Sequence, residues 1–153
     1  METRQAGHRT SATHDVLSER HRGTFPHVLH LRRPARLGEA TALRHALGDW
    51  ALARRLPADL IADLQLAGYE AMTNVVEHAY AAGSAGHLDL HAQHGIRAVR
   101  VTVTDRGRWR LQPDPAPGRG LPLIHLLADH SDVTPTPKGT VVAMSWQLPY
   151  QPS

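Results

Sequence analysis

Glu70, Asn74 and His78 recur at four-residue steps within YEAMTNVVEHAY, residues 69–80. On a helix that spacing stacks the three side chains along one face. Asparagine is a poor helix former, because its amide competes for backbone hydrogen bonds. An Asn inside a segment rich in Ala, Leu and Met therefore asks for a reason. A carboxylate one turn earlier can accept a proton from a hydroxyl or water nucleophile. An amide oxygen is a hard ligand of the kind Mg²⁺ accepts beside phosphate oxygens. The pair suits phosphoryl transfer, where positioning and charge do most of the work. A solvated helix face would account for Glu70 alone. It does not account for Asn74, at the border of the apolar stripe of Leu60, Leu64, Ala67, Ala71 and Val75.

Three further stretches fit the same chemistry, each weak by itself. In VTVTDRG, Asp105 stands where a well-alternating strand stops, and Gly107 follows two residues later. A carboxylate there could accept the exocyclic amine of adenine, and glycine would let the backbone approach a flat base; Asp-Arg-Gly is equally a common turn. In GRGLPLIHLL, Gly118, Arg119, Gly120 and Leu121 lead into an apolar helix. Backbone N–H groups at a helix start suit phosphates, although the same pattern makes a plain hinge. In KGTVVAM, Gly139 and Thr140 open a buried-looking strand, with a hydroxyl that could support Asp105 or simply belong to a tight turn.

The elements that must position these residues follow from hydrophobic period. Residues 1–23 are polar and aperiodic and are expected to form a flexible tail before a domain over 24–150. TFPHVLHLR (24–32) suggests a first strand, at an edge because of Pro26. Leu37, Ala40, Leu43, Leu47 and Trp50 mark a first helix weakened by Gly38 and Gly48. Pro57 and Asp59 suit the start of a second helix that runs to about Tyr80. Strands are expected at 87–94 and 97–104, the second with Val99, Val101 and Val103 on one side and Arg100, Thr102 and Thr104 on the other. A loop (105–120), a short helix (121–130) and two last strands complete the chain. Adjacent antiparallel strands with grouped helices indicate a two-layer α+β domain.

Composition narrows the classes. Of the 153 residues, 41% are hydrophobic and 20% charged, as in globular proteins. No cysteine is present, which excludes thiolate metal sites and cysteine nucleophiles. No apolar run approaches the ~20 residues of a membrane span, and the expected location is cytoplasmic. The net charge of +3 is scattered among carboxylates without a basic stripe, so direct nucleic-acid binding is not expected. HLDLHAQH invites a metal reading, yet His87 and His91 would lie about 13 Å apart along a strand, and His94 would face away from His91.

In order and spacing, these motifs resemble those of the GHKL ATPase superfamily of DNA gyrase, Hsp90 and histidine kinases. Within it they resemble the small anti-sigma-factor serine kinases of bacteria, the RsbW and SpoIIAB type, over about residues 24–148. EAMTNVVEHAY looks like the N box, DRG, GRGL and GT like the three glycine boxes. The resemblance implies a Bergerat-type fold: a two-layer α/β sandwich, its mixed, mostly antiparallel sheet carrying helices on one face. It implies ATP and Mg²⁺ as cofactors, Glu70 as general base, Asn74 as Mg²⁺ ligand and Asp105 as adenine reader assisted by Gly107 and Thr140. Gly118, Arg119, Gly120 and Leu121 would line the phosphate side, with 108–117 as a short lid. His78 would close the pocket or pack as an ordinary helix residue. One position departs: Trp109 stands where the second glycine of the first box is usual.

The implied activity is phosphorylation of a serine on an anti-sigma-factor antagonist of the STAS type, binding of a sigma factor, or both, with a homodimer as a family habit. The alternative is an ATP-binding module with weak or no catalysis that acts by sequestration, toward which Trp109 leans. A third reading, half of a split signalling kinase, ranks last because no phospho-acceptor histidine helix is recognisable.

Overall fold

In the computed structural model, residues 27–82, 84–109 and 120–149 are described. The expected tail therefore lies outside the described residues, as do Gly118, Arg119 and most of the expected lid. The sheet contains β1 (Val28–Pro34), β2 (His87–His94), β3 (Ala98–Asp105), β4 (His130–Thr136) and β5 (Gly139–Gln147). Its order is β1-β2-β3-β5-β4. All four pairings are antiparallel, so among the described residues the sheet has no parallel component. The helices are α1 (Leu37–Ala53), α2 (Ala58–Asn74) and α3 (Gly120–Leu127).

Alternation decides which face of the sheet is covered. Leu88, Leu90, Val99, Val101, Val103, Val142 and Met144 are all buried, and their strand neighbours are not. Against them lie Leu43 and Leu47 from α1, and Leu64, Ala67, Ala71 and Met72 from α2. Each large apolar side chain so buried contributes roughly 1.5–3 kcal/mol. Gly48 weakens α1 as a helix, yet a methyl group there would overlap the Gln65 side chain of α2. α3 is held at its C-terminal end by the Trp146 indole, which donates to the Leu127 carbonyl at 2.8 Å. No helix among the described residues is long and apolar enough to cross a membrane.

Three helix ends differ from the sequence reading. The last helix, expected over 121–130, ends at Leu127, and His130 already opens β4. Pro57 is the residue just before α2 rather than within its first turn. At the other end the α-helix stops at Asn74, and Val75–Ala79 continue as a π-helical turn before Tyr80 turns extended. A π-turn holds one residue more than an α-turn and shifts the side chains that follow; such turns are frequent at functional sites. Here Val75 and Ala79 remain buried through the change, which is why the apolar period did not reveal it.

Candidate functional site

The C-terminal end of α2, the end of β3 and the start of β5 meet at one end of the sheet. The contacts that lock them are backbone to backbone. A methyl group on Gly107 would overlap the carbonyl oxygen of Ala79, and one on Gly139, at φ +153°, would overlap that of Asp105. Glycine at 107 is thus demanded by the π-turn packed against it. That is a different reason from the expected approach of a flat base. Tyr80 completes the lock: its hydroxyl accepts the Arg106 N–H at 3.0 Å and donates to the His87 carbonyl at 2.5 Å.

Three polar side chains are buried among the described residues, and all three had been singled out by sequence: Asn74, Asp105 and Thr140. Asn74 is 7% exposed, and its Nδ2 is fully buried with no hydrogen-bond partner. Leaving such a group unpaired costs about 1–3 kcal/mol, so the fold keeps the amide for something other than its own stability. Glu70 lies one turn earlier on α2 and is half-buried; among the described residues nothing pairs with its carboxylate.

Asp105 is 2% exposed and well satisfied. Its Oδ1 accepts the Gly107 N–H at 3.0 Å, and its Oδ2 accepts the indole N–H of Trp109 at 2.7 Å. Thr140 sits beside it, one residue past the Thr104–Val141 pair of β3 and β5, but supplies neither bond. The Trp109 ring is half-buried against the core and lies 6.3 Å from the His78 ring at a 45° tilt. His78, itself partly exposed and 3.5 Å from Glu77, therefore packs on the tryptophan at the mouth of the site. Gly120 and Leu121 open α3, with Leu121 packed against the core. An open cleft of about 480 Å³, lined by Ala79, Tyr80, Ala81, Arg106, Gly107 and Arg108, lies alongside.

The family model of the histidine kinase-like ATPase domain matches residues 33–146, which span all of these elements. The chain belongs to this family. Among solved structures, it is similar to the RsbU and RsbW domains of Rv1364c from Mycobacterium tuberculosis, at 25% identity and a TM-score of 0.64. That match covers 81% of this chain and 34% of the other. A second similarity is to the histidine kinase domain of the blue-light activated histidine kinase of Erythrobacter litoralis EL346: 23% identity, TM-score 0.49, 72% of this chain and 58% of that one. The chain thus spans about a third of the first relative's length and under two thirds of the second's. The RsbW-type likeness read from the motifs agrees with the first match.

As a histidine kinase-like ATPase domain, the chain implies a nucleotide, typically with Mg²⁺, and its described residues fit one in two respects. The Asn74 amide is buried; its oxygen could ligate the metal, and its unpaired Nδ2 could donate to a phosphate oxygen. A buried carboxylate stands at Asp105. A third respect differs from the expectation, since the Asp105 oxygen that should read a base already holds Trp109. Sequence singled out Trp109 as a substitution but could not show its bond. It named Gly139 only as the opening of a strand and a glycine box, and left Tyr80 of HAY unweighed; neither was read as a lock of the site.

Proposed function

We propose that this domain binds ATP with Mg²⁺ and works as a serine kinase of the anti-sigma-factor type. Its acceptor would be a serine on a STAS-type antagonist, and a sigma factor would be the partner so released or held. The observation that carries the reading is the buried Asn74 amide, one helical turn after Glu70: its oxygen would ligate the metal, and its unpaired Nδ2 would donate to a phosphate oxygen. The nucleotide would supply the phosphoryl group, and the metal would offset its charge. Asn74 would hold the metal, Asp105 the base, and Gly118, Arg119, Gly120 and Leu121 the phosphate side.

Glu70 acts on the partner. Its half-buried carboxylate accepts the proton of a docked serine hydroxyl, so the site becomes complete only when the partner seats that oxygen within about 3 Å. Incubation with Mg-ATP and candidate antagonists, read by phosphoserine mass spectrometry, tests this. Glu70→Ala should slow transfer by about 10²–10⁴-fold, the usual contribution of a general base. Unchanged transfer would remove Glu70 from the role.

A second reading is favoured by the Trp109–Asp105 bond: a module that sequesters its partner, with little or no turnover. Under it, a sigma-factor complex forms with the same affinity whether or not Mg-ATP is present, and Glu70→Ala leaves that complex intact.

A further inference from the structure

The indole N–H lies in the plane of its ring. A 2.7 Å bond from Trp109 Nε1 to Asp105 Oδ2 therefore sets the ring edge-on to the carboxylate. A ring that capped a base by stacking would lie over the base and send its N–H elsewhere. An edge-on bicyclic ring offering one N–H donor has the size and hydrogen-bonding edge of a purine that presents its exocyclic amine. The ring is also seated, half-buried against the core with His78 beside it, and the carboxylate it holds is almost wholly inaccessible.

We propose that Trp109 is a built-in surrogate for the nucleotide base: its indole fills the base subsite and takes the Asp105 oxygen a purine amine requires, so a nucleotide enters only by displacing this ring. The inference rests on the nucleotide-binding reading above and adds to it what sets affinity. When the competent state is a minor fraction of the molecules, the apparent dissociation constant rises by the inverse of that fraction. Residue 109 then tunes the domain between a nucleotide-responsive form and one that works without nucleotide.

The test uses the full chain, with Mg-AMP-PNP as the titrant and calorimetry as the readout. Trp109→Phe keeps a ring and loses the donor; Trp109→Gly removes both. Relative to the unaltered protein, Phe should tighten binding about threefold and Gly at least tenfold, by the competition just described. The indole ¹H–¹⁵N signal gives a second readout. Asp105→Asn should move the Trp109 signal without nucleotide, leaving those of Trp50 and Trp146 in place, and saturating nucleotide should move it in the unaltered protein.

Equal or weaker binding by both variants, while the unaltered protein binds, would overturn the surrogate and leave the nucleotide site standing. A Trp109 signal indifferent to Asp105→Asn would also overturn it. If no form binds at millimolar titrant, the nucleotide reading itself fails, and the surrogate with it. Circular dichroism of each variant separates these outcomes from loss of fold, and the conservative Phe variant carries the test if Gly does not fold.

Discussion

Two groups of polar side chains sit at opposite ends of the sheet, about 20 Å apart along β3 by strand rise, and they are satisfied in opposite ways. At the far end, the Arg54 guanidinium donates from Nε to His94 Nδ1 at 2.9 Å and approaches His27 Nδ1 with Nη2 at 3.1 Å. There too the end of α1 is closed: Arg55 N–H bonds the Leu52 carbonyl and Leu56 N–H the Ala51 carbonyl. That is the Schellman pattern, with Arg55 at φ +59° in the position glycine prefers. At the near end, Asn74 keeps an unpaired buried nitrogen, and Asp105 relies on a tryptophan for one of its two bonds. Matched donors and acceptors mark a joint built for stability. A buried group left unmatched brings no such stability and asks for another reason, which the proposed nucleotide would supply.

The largest effect that could break this contrast is at the near end's backbone. Gly107→Ala should lower stability by about 3 kcal/mol, the upper range of overpacking, seen as a lower urea midpoint. An unchanged midpoint would mean that the Ala79 carbonyl is not fixed where the π-turn puts it. Next comes Asn74→Leu, close in shape and apolar. It should raise stability by about 1 kcal/mol by removing an unsatisfied amide, while abolishing Mg-nucleotide binding in calorimetry. Loss of stability instead would place Asn74 with the structural residues.

At the far end, Arg55→Gly relieves a left-handed backbone carried by a side chain and should stabilise by about 1 kcal/mol in thermal melts. The smallest effect is a pH dependence. Burial, then Arg54, then His27 lower the pKa of His94 from its ordinary 6.5. Between that lowered value and 6.5 the unfolded chain therefore binds more protons than the folded one. The contribution is complete above about 6.5 and is lost as pH falls toward the folded value. Melting temperature between pH 7.5 and 5 should fall less in His94→Gln, which keeps an acceptor, than in the unaltered protein.

The parts legible in the sequence were those written in local period or in a residue out of place. Val99, Val101 and Val103 announced β3, and β2 was read at its observed bounds, His87–His94. Asn74 stood out because nothing in a helix wants it, and Asp105 because it ended an alternating strand. What escaped were contacts between segments. The π-turn keeps Val75 and Ala79 inside, so no periodicity reports it. The overlap that fixes Gly107 comes from a carbonyl twenty-eight residues earlier. Trp109 and Asp105 are four residues apart in a turn rather than a helix, where spacing does not say who faces whom.

Tyr80 has a mechanical consequence for this corner. Its hydroxyl pins the amide of residue 106 to the first residue of β2, and Asp105 pins the amide of residue 107. The chain is thus anchored up to two residues before the indole. Trp109 follows two residues past that anchor, so the displacement proposed for its ring would need only its own side-chain torsions to turn while the mainchain behind it stays in place.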